Sequence, residues 1–368
     1  MPKSGVGAGW GRFASLALAL GLLLTGLWAG LIRLGWPWPL LVTTLPMAHG
    51  PLMINGFLGT LIGLERAVAL QARWAYAAPF LSAGGALLLV FGIGGPLGIL
   101  LLLVGGGVLL AVMGKIAAVH PTLDTGVITA GVGLGLVGNL LWLWGQPIPQ
   151  VVFWWAGFLL LTIAGERLEL SRFLRLSQWA LVSFTLVLTL FCGGLLLALV
   201  TFAPGIRLSG LGMVLLAFWL FYYDIARRRV KAGGQARFIA LCLLSGYIWL
   251  GAGGLLALRY AGYLAGPAYD AMIHAVFLGF VFSMIFGHAP IVFPAVLQRS
   301  FAYSPRFNSH LFLLHATLFL RISGDLLLWW PGRRWGGLLN ALVLLLFLVN
   351  TVTALRRTKA VRPKALNT

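Results

Sequence analysis

The amino-acid sequence predicts an all-α polytopic membrane protein: one integral membrane domain over residues 1–368, with about twelve transmembrane helices. Three observations carry that prediction. The chain is 60% hydrophobic and only 9% charged, whereas a soluble domain is about a quarter charged and at most about half apolar. Apolar stretches of at least about 18 residues, long enough to cross a bilayer as helices, succeed one another along the chain. The basic residues behind the net charge of +19 sit in the short segments between those stretches. Such spacing is that of membrane-flanking loops, so the charge does not point to nucleic acid.

The first four spans fall at 13–34, 38–64, 74–93 and 95–119. The first is apolar from Ala14 to Ile32, and another span follows without a small-residue cleavage site. It reads as a retained helix and not a signal peptide. The next four fall at 123–144, 149–168, 176–202 and 206–224, and the last four at 237–262, 267–295, 308–329 and 335–355. Their length favours helices over apolar strands. Cys192 and Cys242 both lie inside apolar runs, which excludes a structural disulfide, a cysteine-rich metal site and covalent haem attachment.

Orientation follows from the basic residues. Twenty of the 26 fall in the N-terminus, the segments after even-numbered spans and the tail. Five (Arg33, Arg207, Arg259, Arg333 and Arg334) fall on the other side, and Arg321 lies within span 11. Both termini are therefore expected in the cytoplasm, with the protein multi-pass in the cell membrane.

A repeated pattern is legible. Span 2 contains Gly56-Phe57-Leu58 with Glu65-Arg66 downstream, and span 6 has Gly157-Phe158-Leu159 with Glu166-Arg167 in the same register. Span 10 contains Gly279-Phe280-Val281 with His288-Ala289 in the equivalent place. Copies four spans apart suggest three parallel four-helix pseudo-repeats, about 13–119, 123–224 and 237–355.

Ionisable groups inside a bilayer are costly, so each is a functional candidate. His49 lies in Met47-Ala48-His49-Gly50-Pro51, ten residues past Pro39 and so expected about 15 Å below the outer surface. The neighbouring glycine and proline loosen the helix there. His274 lies seven residues past Pro267, about 10 Å deep. Two neutral imidazoles at similar depth on equivalent helices suit the two axial positions of a b-type haem. Arg321 is a candidate partner for haem propionates, supported by Arg333 and Arg334 in the following outer loop. The alternative is an ion pair with Asp325, four residues on.

His288 is fourteen residues from His274, on nearly the same face but about 21 Å away. It falls level with His310, and the two, with Glu65 as a third candidate, could hold copper or another divalent metal. The alternative is a set of interfacial polar groups at helix ends. His315 is turned about 140° from His310 and cannot share a small site with it, and His120 reads as solvated. The Glu65-Arg66 and Glu166-Arg167 pairs read first as charge pairs at a membrane boundary, and second as a proton entry or carboxylate ligand.

The twelve spans, the three-by-four repeat, His49, His274 and Arg321 resemble the catalytic subunit I of haem-copper oxidases. That resemblance implies a low-spin haem held by His49 and His274, with Arg321 at its propionates. Span 6 lacks the histidine, and span 7 the His-His pair, of the oxidase copper site. The resemblance therefore does not extend to dioxygen reduction. The chain also resembles the NnrS family, through His49 seven residues before Gly56-Phe57 and through Ile273-His274-Ala275 followed by Gly279. This implies haem b, with copper as a second cofactor candidate, and a redox or nitric oxide-binding role in nitric oxide metabolism and nitrosative stress. Pro51 and Leu52 stand where that family has a second histidine and an acid. The partners implied are the lipid bilayer and nitric oxide or an electron donor. Two other functions remain open at this stage: a haem-free transporter or metal permease, and a non-catalytic subunit of a respiratory complex.

Overall fold

The computed structural model describes residues 6–40, 42–93 and 96–356. The basic residues Lys3, Arg357, Lys359, Arg362 and Lys364, used above for orientation, lie outside the described residues. Within them the protein is helical, and eleven helices are long and apolar enough to cross a membrane. They are α1 (Val6–Arg33), α2 (Leu45–Leu70), α3 (Arg73–Phe91), α4 (Leu97–Val119), α5 (Leu123–Leu143) and α6 (Ile148–Leu170). The second half gives α7 (Gln178–Ala198), α8 (Phe202–Tyr223), α9 (Gly234–Tyr260) and α10 (Gly266–Leu297). After α11, described next, comes α12 (Trp330–Arg356).

Span 11 of the sequence forms α11 (Phe307–Leu326), a helix of 20 residues. Two histidines, Arg321 and Asp325 make it the most polar of the long helices, which is why it is not among the eleven. The burial of His310, Arg321 and Asp325 in the bundle accounts for that composition.

The start of α2 differs from the sequence expectation. Residues 36–40, Trp36-Pro37-Trp38-Pro39-Leu40, are not helical, and the helix begins at Leu45 with Pro46 in its first turn. Two prolines one residue apart remove backbone donors and bias the residues before them away from helical angles. The segment is anchored instead by Trp28, whose indole N–H donates to the Pro39 carbonyl at 3.1 Å and whose ring packs on Trp38. His49 is thus four residues into its helix, shallower than its distance from Pro39 implied.

Consecutive helices pack on one another, most extensively α5 on α6, α7 on α8 and α11 on α12. Glycines permit the closest approaches: a Cβ at Gly205 of α8 would collide with the backbone of Ala198, and one at Gly194 with Ser209. The centre of the bundle is formed by α6, α10 and α2. Their apolar windows are 83%, 67% and 61% buried, against 33–56% for the other candidate spans. A helix apolar on all sides belongs inside a bundle, and α6 fits that rule with Trp154, Trp155, Phe158 and Leu160 all buried.

Charge reinforces this packing. Arg66 of α2 is hydrogen-bonded to Glu166 of α6. Arg167 holds Asp224, just past α8, through two bonds of 2.7 and 3.1 Å. Arg172 holds Asp124 of α5 at 2.6 Å. The Glu-Arg pairs of spans 2 and 6 therefore act between helices, while Glu65 and Arg66 themselves stand 3.8 Å apart.

Candidate functional site: a histidine pair over a buried cavity

A cavity of about 350 Å³ opens between α1, α2, α6, α10, α11 and α12, lined by His49, His274, Asp270, Arg33, Arg321 and Arg333 among mainly apolar side chains. The backbone places both histidines at irregular turns. On α2, a 3-10 turn (Leu45–Ala48) leads into His49, and a π-helical segment (Leu52–Leu58) begins three residues after it. Pro51, which has no backbone N–H to donate, lies between them. On α10, a π-helical segment (Ala275–Phe282) begins immediately after His274. π segments are rare and concentrate at functional positions. The equivalent part of α6 is regular α-helix and carries no histidine. Phe57 and Phe282, one from each π segment, stack at 6.1 Å below the histidines.

The two imidazoles face one another across the cavity with centroids 6.3 Å apart and planes 22° from parallel. Each ring is fixed through Nδ1. That of His49 lies 2.7 Å from the Gly26 carbonyl, and that of His274 lies 2.9 Å from the Asp270 carbonyl. A carbonyl only accepts, so Nδ1 carries the proton in both rings and Nε2 keeps its lone pair. Gly30 of α1 makes room for His49, since a Cβ there would stand 2.7 Å from the imidazole.

Asp270 is the residue that sequence reasoning missed. Its carboxylate lies 3.3 Å from His274 Nδ1 and accepts from Arg321 Nε and Nη2 at 3.0 and 2.9 Å. Arg321 therefore pairs with Asp270 on another helix, and not with Asp325 on its own. Asp325, 1% exposed, stands 2.8 Å from Arg333 Nε instead. Carboxylate, arginine and histidine form one chain behind His274, an arrangement that orients a metal-ligating imidazole. The signal was present in sequence: Asp270 is the one acid of span 10 and precedes His274 by four residues, the spacing of same-face neighbours. Arg33, Arg321 and Arg333 against Asp270 and Asp325 leave one positive charge in excess at the polar wall of the cavity. Arg33 has no ion-pair partner among the described residues.

The other sequence candidates lie elsewhere. His288 lines a second cavity, of about 90 Å³, with Glu65 and Glu166. His310 is not on that cavity. It is fully buried, edge-on to Phe286, Phe307 and Phe347, with Nδ1 3.1 Å from the Asn350 amide nitrogen. No group of three or more His, Cys, Asp or Glu suited to a metal occurs among the described residues. His315 accepts from the Trp249 indole N–H at 2.9 Å. Arg334 donates to the Gly35 carbonyl and covers the Trp36 ring.

The fold and the site thus define a polytopic helical membrane protein with a facing histidine pair over a buried, arginine-lined cavity. The chain belongs to the family described as a domain of unknown function, DUF8744, whose model matches residues 12–356. Comparison with curated proteins gave no match.

Proposed function

We propose that the protein binds one b-type haem between His49 and His274 and has a redox or nitric oxide-binding role of the NnrS kind, in nitric oxide metabolism or nitrosative stress. The observation that carries this reading is the histidine pair. A haem held by two histidines would need two imidazoles on opposite sides of one space, each with a ring nitrogen available to bind. The rings stand 6.3 Å apart with planes 22° from parallel, and each is tied through Nδ1 to a backbone carbonyl, which leaves Nε2 as the nitrogen that would bind the group. The cavity walls suit the rest of the group: aliphatic and aromatic side chains for a macrocycle, and Arg33, which has no ion-pair partner among the described residues, for a carboxylate, with Arg321 and Arg333 beside it already paired to Asp270 and Asp325. In the pseudo-repeat proposed from sequence, His49 and His274 lie on the second helix of the first and third units, seven and five residues before the glycine of the Gly-Phe pattern. The excess of basic residues in the segments after even-numbered spans supports placing both termini on the cytoplasmic side.

When bound, haem would supply one-electron redox chemistry and affinity for nitric oxide. The chain supplies the rest. His49 and His274 would hold the group through Nε2, while the Gly26 and Asp270 carbonyls accept from their Nδ1–H groups. Arg321 fixes the Asp270 carboxylate, and Asp270 steadies the His274 ring. Arg33 would offset propionate charge, and the apolar wall with the Phe57–Phe282 stack would limit water at the group.

The test is the visible spectrum of detergent-purified protein, oxidised and reduced, with a pyridine haemochrome assay. A sharp reduced α band and near-stoichiometric haem b are expected in the wild type, with loss of haem in His274→Ala and His49→Ala. No Soret band after expression with ample haem would overturn the reading and direct attention to transport.

A further inference from the structure

A second polar site lies where α2, α6 and α10 meet, toward the face that carries most of the basic residues. It is lined by Glu65, Glu166, His288 and Thr162 in an otherwise apolar wall and has a volume of about 90 Å³. A water needs about 10–15 Å³ of such space and two to four polar partners, so this cavity has room for several waters. Glu65, Glu166 and His288 each stand nine residues beyond the glycine of their helix's Gly-Phe pattern. Three central helices thus direct corresponding positions into one space.

Two independent features show what that space lacks. The first is charge. Two carboxylates share one guanidinium: Arg66 is bonded to Glu166 and stands 3.8 Å from Glu65. The other charges nearby are committed or remote. Arg167 is held by Asp224, Arg12 of α1 donates to the Tyr76 hydroxyl, and Glu169 is exposed at the end of α6. Glu65, Glu166 and Arg66 together therefore carry one negative charge in excess. The second feature is hydrogen bonding. His288 Nδ1 lies 2.7 Å from the Met284 carbonyl, so it carries the proton and Nε2 keeps a lone pair. That Nε2 is buried without a partner, and so is the hydroxyl of Thr162, which is 3% exposed. Buried polar atoms without partners are uncommon and call for a bound species.

We propose that this cavity is a proton-binding site, in which one proton taken up at Glu65 is held among the two carboxylates, the His288 lone pair and the enclosed water. Glu65, with its side chain 35% exposed, is the entry, and Glu166, Thr162 and His288 form the interior. Uptake transfers a proton from solvent to carboxylate oxygen and removes the net negative charge. The site does not depend on haem.

Infrared difference spectroscopy of the full chain over a pH series, with isotope-labelled glutamate to assign the bands, tests this without any cofactor. One protonated-carboxyl band that titrates is expected in the wild type and should be lost in Glu65→Gln. In His288→Leu the proton should bind more weakly, so that half-protonation needs about tenfold more acid, one pKa unit. Helicity and thermal unfolding of Glu65→Gln establish that it folds, so the Glu65 result stands even if His288→Leu does not assemble. A wild type without a titrating carboxyl band, or a band unchanged in Glu65→Gln, would overturn the proposal. One divalent cation retained per wild-type chain and lost in Glu65→Gln would also overturn it, in favour of a metal site.

Discussion

Asp270 joins the two halves of the histidine site: it is bonded to Arg321 and lies against His274. Asp270→Asn keeps the shape but removes the charge that Arg321 holds and that orients the imidazole. Partners of metal-ligating histidines are worth about 10–100-fold in affinity. On the proposed haem reading, Asp270→Asn is therefore expected to retain haem about 10–100-fold less tightly, checked by transfer of haem to apomyoglobin. It should also lower thermal stability, because Arg321, 7% exposed, loses its counter-charge. The histidines themselves were legible in sequence because imidazoles are rare in apolar spans. The Arg321 partner was not, because sequence spacing shows which residues share a helix face but not which helix that face meets.

Local sequence governs how the individual helices break. Pro37, Pro39 and Pro46 delay the start of α2, and Pro51 precedes its π segment. That on α10 has no proline; it comes where Gly279 admits Trp249 of α9 against the backbone. Glycines at helix contacts allow a paired prediction. Gly205→Val forces a side chain into the Ala198 backbone and should destabilise by about 1–3 kcal/mol or more, read as a lower unfolding temperature in detergent. Gly193→Ala, one residue from Gly194, meets nothing within 4 Å and should be neutral or stabilising by up to about 1 kcal/mol. Both glycines look alike in the sequence, since small residues occur on lipid-facing and helix-facing surfaces alike.

Across the whole molecule, six of the seven acids stand within ion-pair distance of an arginine, and five of those pairs tie separate elements together. Glu169 is the seventh. A chain with few acids places them where helices must be held together in a medium that does not screen charge. Single-cysteine labelling of the intact membrane provides the topological prediction. Cysteines replacing Arg175 and Lys231 are expected to react only after the membrane is permeabilised, and one replacing Leu327 without permeabilisation. The opposite pattern would invert the orientation and place the histidine cavity toward the cytoplasm.

The sequence by itself determined the helical membrane class, the number and approximate limits of the long helices, and the histidines worth attention. Each of these depends on composition and spacing along one chain. Only the tertiary structure decided that α2, α6 and α10 form the centre, that His49 and His274 face one another 6.3 Å apart, and that Arg321 answers Asp270. It also separated His288 from the His310 cage and joined it to Glu65 and Glu166. These are contacts between distant segments, and apolar spans of similar composition do not encode in their own periodicity which neighbour each will meet.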